Sequence, residues 1–226
     1  MKRLSLKPIC VSLFGALLLA MIGASATAPA FAQPKPASAA KPTPAAAIGQ
    51  GKTLGSKSAP ITMEIFEDFQ CPACGNFYET SLKQVIDNYV STGKVFIQHR
   101  DFPLDMHPYA RQAARFANAA AALGEFEPVE RALFDTQAKW GQDGKIDEAI
   151  SSELSAAQIK KIHAYEAAHS SEIDSAIESD RALGAQRNVN QTPTIFVTAH
   201  GKMEGLPGGG VDYKLLSSYL DYLLRQ

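Results

Sequence analysis

The chain has 226 residues, with 22 Lys and Arg against 23 Asp and Glu, a formal net charge of −1 and a hydrophobic fraction of 46%. This length and composition are sufficient for one domain with a substantial core. A near-neutral charge without a basic run argues against a nucleic-acid partner.

The first 32 residues have the pattern of a secretory signal peptide. Lys2-Arg3 gives a basic start, residues 9–22 form an apolar run, and Ala30-Phe31-Ala32 supplies a small-residue cleavage site before Gln33. Cleavage would leave 194 residues with a net charge of about −4, because three cations leave with the leader. An uncleaved anchor is the alternative, since a spanning helix needs roughly 20 apolar residues. Either form predicts a location in the periplasm or cell envelope.

Residues 33–55 are rich in Pro and Ala and contain little that a core could bury. Such a composition predicts an extended, semi-stiff spacer. The folded domain is therefore predicted to cover residues 56–226. The spacer is too short and too poor in large apolar residues to form a dimerisation domain, and a monomer is expected.

The domain is predicted to begin with a strand that leads into a pair of cysteines. Residues 61–66 are rich in β-branched and aromatic side chains, and residues 75–90 carry apolar side chains at helical spacing. Cys71 then lies at a helix N-terminus, with Pro72 in the first turn and Cys74 one turn further along. Backbone N–H groups at such a position favour an anion, so we expect a stabilised Cys71 thiolate.

The cysteine count favours redox chemistry at this pair. Cys10 leaves with the predicted leader, so the exported protein keeps only Cys71 and Cys74. A disulfide between them closes a very small loop and adds little stability, which favours a chemical role. Two alternatives remain: an incidental CxxC, or a zinc site. Zinc needs about four ligands, and no histidine pair or second CxxC supplies the others, so no metal site is expected.

The remaining elements predict an α/β domain with a helical insertion at about residues 105–186. The second strand completes a βαβ unit, for which parallel pairing is expected. Ser155 and Gln158 fit a capping box, Gly184 is predicted to stop a helix, and Asp212 can cap the last helix. The predicted elements are a strand at 94–100, helices at 109–123, 129–140, 155–165 and 171–184, strands at 194–198 and 203–205, and a closing helix to 223.

Three segments together resemble the DsbA-type thiol–disulfide oxidoreductases, which are exported thioredoxin-fold proteins with a helical insertion. They are Asp68-Phe69-Gln70-Cys71-Pro72-Ala73-Cys74, Arg100-Asp101-Phe102-Pro103-Leu104 with His107-Pro108, and Gln191-Thr192-Pro193-Thr194 before a strand. The resemblance implies a redox-active Cys71–Cys74 disulfide, with Cys71 as an exposed nucleophile and Cys74 as a buried resolving thiol. It also implies a cis bond at Pro193, with Thr192 pairing its backbone with the bound substrate.

The implied activity is a dithiol oxidase without a cofactor. Its implied partners are reduced or unfolded exported polypeptides and a membrane reoxidising partner, expected to be a quinone-linked oxidase. A disulfide isomerase or reductase of the same fold is one alternative. A redox-silent module that uses the CxxC for metal binding or interaction is the other.

Two features qualify this resemblance. Many relatives carry a buried acid six residues before the first cysteine, where this chain has Ile65, although Glu64, Glu67 and Asp68 are near. Asp68 is expected at the surface or as a loop cap, and His107 at the start of a helix. The Pro72-Ala73 pair is expected to tune the redox potential. Because Ala73 has no polar side chain, the helix N-terminus alone must hold the thiolate, which predicts an oxidant of intermediate strength.

Overall fold

The computed structural model describes Ile48 and residues 51–226. The predicted signal peptide and most of the predicted spacer lie outside the described residues. The strands in the described part of the chain are β1 Thr53–Leu54, β2 Ile61–Glu67, β3 Val95–Asp101, β4 Thr194–Ala199 and β5 Lys202–Gly205. They form a mixed sheet of order β1-β3-β2-β4-β5, in which β2 and β3 are parallel and the other neighbouring strands are antiparallel.

The central strand β2 is buried along nearly its whole length, and because successive side chains point to opposite faces, both faces of the sheet are covered here. Ile61, Met63, Ile65 and Phe66 each expose 1% or less of their surface. The parallel pairing of β2 with β3 confirms the predicted βαβ unit.

Helices connect the strands in the predicted order. The helical segment after β2 begins at Pro72 and contains two π-helical stretches, Tyr78–Leu82 and Ile86–Val90. The capping box of Ser155 and Gln158 and the Asp212 cap are present as predicted. The α-helices are α1 Pro72–Phe77, α2 Lys83–Val85, α3 Ala110–Ala122, α4 Phe126–Asp135, α5 Gln137–Asp143, α6 Ile146–Ile150, α7 Ala156–Ala168, α8 Ser170–Gln186 and α9 Tyr213–Leu223.

The prediction of a single helix over residues 129–140 is wrong. The chain forms α4 and α5 instead, separated at Thr136. The Thr136 hydroxyl donates to the Ala132 carbonyl oxygen at 2.6 Å, a local bond that competes with the regular helix. The short helix α6 was not predicted.

Gly184 does not stop a helix as predicted, since α8 continues to Gln186. A Cβ at this position would lie 2.6 Å from the Phe102 ring and 3.2 Å from the Phe66 ring. The glycine is therefore required for close packing of α8 against two aromatic rings. Tertiary packing therefore explains Gly184, which local helix propensity alone would predict to be a helix end.

The predicted domain boundary at residue 56 lies too late in the chain. Thr53 and Leu54 form an edge strand on β3, and Lys52 is 1% exposed. The Lys52 ammonium contacts Asp101 and lies 3.1 Å from Asp180 Oδ2. Burial alone would lower the pKa of Lys52, but the two carboxylates outweigh it and raise the pKa.

Within residues 51–226, no helix combines the length and the apolar character needed to cross a bilayer.

Candidate active site

The two cysteines lie at the turn between β2 and α1. Cys71 has extended backbone angles (φ −70°, ψ 121°) and occupies the N-cap position, followed by Pro72 in the first turn. The Gly75 amide donates to the Cys71 carbonyl oxygen at 3.1 Å and closes the first helical turn. Pro72 lacks an N–H, but this costs no helical hydrogen bond, because an N–H in the first turn has no acceptor within the helix. The predicted strand–turn–helix setting is therefore present.

Both cysteines are free thiols and both are largely covered. Cys71 is 7% exposed and Cys74 is 2% exposed. The Cys71 sulfur lies 3.5 Å from the Thr192 carbonyl oxygen, to which the thiol donates. The expectation of an exposed nucleophile is thus corrected: the Thr192 loop leaves only a small part of Cys71 accessible, although more than of Cys74.

The surroundings of Cys71 strongly favour its thiolate. They lower the pKa of Cys71 from the ordinary 9.0 to about 5. A hydrogen bond from the Cys74 thiol contributes most, burial opposes the change, and the Thr192 side chain contributes next. Smaller contributions come from the backbone N–H groups of Cys74 and Ala73. The expectation that the helix N-terminus alone holds the thiolate is therefore wrong, because the Cys74 thiol and the Thr192 side chain lower the pKa of Cys71 more than the backbone N–H groups do.

The loop before β4 covers the Cys71 sulfur. The Thr192–Pro193 peptide bond is cis, as the resemblance implies. The Thr192 Oγ1 atom is buried and has no hydrogen-bond partner among the described residues. An ionised Cys71 would supply the missing acceptor, which explains why the hydroxyl favours the thiolate.

The pKa of Cys74 shifts in the opposite direction, well above 9.0. Burial is the main cause, followed by the hydrogen bond to Cys71, the Cys71 charge and, more weakly, the charge of Glu67. The Asp68 amide opposes the shift by donating to the Cys74 sulfur at 3.5 Å. At neutral pH the pair is therefore one thiolate at Cys71 and one thiol at Cys74.

Two glutamines join the dithiol turn to the helical insertion. The Gln137 carboxamide donates to the carbonyl oxygens of Phe69 at 2.7 Å and Cys71 at 2.9 Å. Gln70 donates to the Gly141 carbonyl oxygen at 2.8 Å and accepts from the Tyr109 amide at 2.7 Å. The insertion thus supplies a donor for the Phe69 carbonyl oxygen, and a second donor for the Cys71 carbonyl oxygen besides the Gly75 amide.

Asp68 organises the turn from inside the protein. Its residue is only 1% exposed, and its carboxylate accepts from the Gln70 amide at 2.7 Å and the Leu104 amide at 2.9 Å. His107 Nδ1 lies 2.7 Å from Asp68 Oδ2. Asp68 is therefore a loop-capping residue, one of the two options expected, but a buried one. His107 lies just before α3, as expected, and pairs with this carboxylate.

A cluster of buried ionisable groups lies behind the turn. His99 Nδ1 is 2.8 Å from Glu67 Oε1 and 3.3 Å from Glu130 Oε1. Burial disfavours the imidazolium, but Glu130 and Glu67 outweigh it and raise the pKa of His99 to about 9. Burial also raises the pKa of Glu130 to about 8, although the His99 charge opposes this.

Sequence reasoning missed most of this cluster. Glu67 follows Ile65 by two residues, so both side chains point to the same face of β2, and Glu67 acts on Cys74 through its charge. The available signal for this cluster was a polar residue in each of two apolar strands, Glu67 in β2 and His99 in β3. Nothing in the sequence pairs them with Glu130 or assigns Gln137 to the turn.

A groove of about 450 Å³ opens beside the dithiol turn. It lies between the start of α1 and helix α5, next to the residues that flank Cys71. Its lining residues are Gln70, Pro72, His107, Gln137, Ala138, Gly141 and Gln142.

A family model described as Thioredoxin matches residues 48–205. Among curated relatives, the Na(+)/H(+) antiporter NhaA 3 of Salinispora tropica is 41% identical over 73 residues, which cover 32% of this chain and 11% of the antiporter. The probable disulfide bond formation protein D of Bacillus anthracis is 25% identical over 156 residues, covering 66% of this chain and 70% of that protein. The chain spans about a ninth to about a fifth of the length of the antiporters that it matches.

Solved structures show the same fold. Oxidised BdbD from Bacillus subtilis superposes with a TM-score of 0.64 at 21% identity, covering 79% of this chain and 94% of BdbD. Wolbachia pipientis alpha-DsbA1 superposes with a TM-score of 0.59 at 22% identity, covering 76% of this chain and 89% of that protein. The predicted α/β thioredoxin-like fold is thereby confirmed.

Proposed function

The chain belongs to the thioredoxin family, and from this premise we propose that it is an exported thiol–disulfide oxidoreductase of the dithiol oxidase type. The observation that carries the proposal is the opposite shift of two neighbouring thiol pKa values, low at Cys71 and high at Cys74. A low pKa makes Cys71 a good leaving group in disulfide exchange, while Cys74 holds its proton at neutral pH.

The catalytic cycle starts from the Cys71–Cys74 disulfide. A substrate thiolate attacks the Cys71 sulfur, forms a mixed disulfide and breaks the bond to Cys74. Cys74 leaves with the electron pair and takes up a proton, which its high pKa favours.

A second substrate thiolate then attacks the substrate sulfur of the mixed disulfide. Cys71 leaves as a thiolate, and its low pKa makes this departure favourable. The substrate has lost two electrons and gained a disulfide, and the enzyme has become the dithiol that the structure describes. A membrane partner of the quinone-linked kind would take these electrons and restore the enzyme disulfide.

The driving force follows from the Cys71 pKa. An ordinary thiol is protonated at pH 7, so only the two units between a pKa of about 5 and pH 7 count. These two pKa units stabilise the reduced enzyme by about 2.7 kcal/mol, which raises the reduction potential of the two-electron couple by about 60 mV. This magnitude supports an oxidant of intermediate strength, with Pro72 and Ala73 as tuning residues through the backbone geometry of the turn.

Unfolded polypeptides are the proposed substrates. We assign Thr192 and Pro193 to substrate binding, because the Thr192 carbonyl oxygen lies 3.5 Å from the Cys71 sulfur and a chain bound there would reach it. The groove between Pro72 and Gln142 would hold the flanking part of the same chain. Location in the periplasm or cell envelope rests on the leader pattern in residues 1–32 and on the DsbA-type neighbours.

The deciding experiment is oxidation of reduced ribonuclease, together with equilibration of the protein in glutathione buffers. We expect ribonuclease reactivation, its loss in Cys71→Ser, and a potential more oxidising than that of thioredoxin, about −270 mV. A potential near that of thioredoxin with active insulin reduction would replace the oxidase with a reductase or isomerase. No thiol exchange in either assay would leave a redox-silent binding module.

A further inference from the structure

The buried cluster behind the dithiol turn has the composition of a metal site. Among the described residues, Glu67, His99 and Glu130 can each direct one ligand atom to a common point, with these atoms within 4.8 Å of one another. Each of the three residues is 4% exposed or less. The cysteines of the turn are not part of this group.

Unpaired polar atoms point to a missing partner within the cluster. Both carboxylate oxygens of Glu130 are buried and form no hydrogen bond within the described chain. His99 Nδ1 donates to Glu67 at 2.8 Å, while its 3.3 Å contact with Glu130 is close in distance but is not a hydrogen bond. A buried carboxylate without a hydrogen bond needs another charge to compensate it. In the metal-free protein a protonated His99, with Nδ1 3.3 Å from Glu130, supplies that charge, and a bound metal ion would replace the proton.

A divalent cation would compensate this charge. With a neutral imidazole, the two carboxylates carry a charge of −2, which one divalent ion balances. One imidazole nitrogen with two carboxylate oxygens is a donor set suited to zinc and its first-row neighbours, and it leaves a position open for water. Zinc ligand distances of about 2.0–2.2 Å separate tetrahedral ligand atoms by about 3.4 Å. To reach this separation, the 2.8 Å contact would lengthen by about 0.6 Å and the 3.3 Å contact by about 0.1 Å.

A surface cleft of about 190 Å³ lies beside the cluster, with Glu130 in its lining. Two further carboxylates, Glu127 and Asp87, line the same cleft, as do the cations Lys83 and Arg131, and Tyr78 and Ile86 complete it. The Glu130 carboxylate oxygens are themselves buried, so an ion entering from this cleft requires that side chain to move.

We propose that Glu67, His99 and Glu130 bind a divalent transition-metal ion of the zinc type, which enters through the cleft beside Glu130. The site uses neither cysteine, so it does not rest on the proposed redox activity, and it differs from the sequence expectation of no metal site.

The test is a titration of the full chain with Zn²⁺ by calorimetry. The protein is first stripped with a chelator, oxidised to the Cys71–Cys74 disulfide and alkylated at Cys10, so that no thiol can bind the ion. We expect one Zn²⁺ per chain, and a Co²⁺ derivative with absorption bands typical of nitrogen and oxygen ligands. Glu130→Gln should weaken binding at least 100-fold.

His163→Gln is the matched control, because His163 forms a surface pair with Asp147 at 2.8 Å, and it should leave the affinity unchanged. Anomalous diffraction from wild-type crystals soaked in Zn²⁺ locates the ion even if Glu130→Gln does not fold. An anomalous peak between the three side chains supports the site. Three results overturn the proposed site: no Zn²⁺ binding below 100 μM, equal Zn²⁺ binding by a folded Glu130→Gln variant, or an anomalous peak at another position. The three side chains would then form only a proton-sharing cluster.

Discussion

The hydrogen bond between the two cysteines should dominate the acidity of Cys71. The pKa of Cys71 lies about four units below the ordinary 9.0, and the Cys74 thiol is the largest contributor. A hydrogen bond to a charged group contributes about 1.5–3 kcal/mol, which corresponds to roughly 1–2 pKa units. Cys74→Ala should therefore raise the pKa of Cys71 from about 5 to about 6–7.

Cys74→Ser is the matched control, because a hydroxyl of similar size keeps a donor at the same place. Its Cys71 should titrate within about half a unit of the wild-type value. Both values are measured from the ultraviolet absorbance of the thiolate and from the pH dependence of alkylation by iodoacetamide, with Cys10 replaced by Ser in all proteins. If Cys74→Ala still titrates near pH 5, the backbone N–H groups of the helix hold the anion and our ranking of the contributions is wrong.

Three further predictions concern stability, all measured by urea denaturation. Lys52→Met removes the cation between two buried carboxylates and should lower the free energy of unfolding by about 3–5 kcal/mol. Lys83→Met, which breaks exposed ion pairs, should lower it by about 0–1 kcal/mol. Equal losses in the two variants would contradict the buried network. The lowered pKa of Cys71 stabilises the folded reduced protein fully above pH 9, and this contribution declines as the pH falls from 9 to 5. The reduced protein should therefore lose about 2.7 kcal/mol more than the oxidised protein between pH 7 and pH 4. A parallel loss in both forms would contradict it. Gly184→Ala should cost about 1–3 kcal/mol because its Cβ meets an aromatic ring at 2.6 Å, while Gly141→Ala, with its nearest neighbour at 3.7 Å, should be neutral within about 0.5 kcal/mol.

The features that the sequence predicted depend on local chemistry. Pro72 next to Cys71 specifies a helix start, and apolar periodicity specifies the strand and the helix on either side. The strand–turn–helix setting of the two cysteines could therefore be predicted from nearby residues alone. Ser155 with Gln158 predicted a cap for the same reason. In each case the residues that interact are close in the chain.

The features that the sequence did not predict depend on contacts between distant residues. Glu67, His99 and Glu130 come together only because β2, β3 and α4 pack against one another. Lys52 looked like part of a spacer because its partners, Asp101 and Asp180, lie 49 and 128 residues away. Such pairings leave no periodic signal in a single sequence.

The bonds from Gln137 have a consequence for protein engineering. A graft that transfers only β2, the CxxC turn and α1 onto another scaffold would leave the Phe69 carbonyl oxygen without its donor and the Cys71 carbonyl oxygen with the Gly75 amide alone. The recipient would have to solvate the Phe69 oxygen or bend the turn, and the sulfur geometry would change with it. The smallest transplantable unit is therefore the turn together with α5, although the two are separated by some sixty residues of chain.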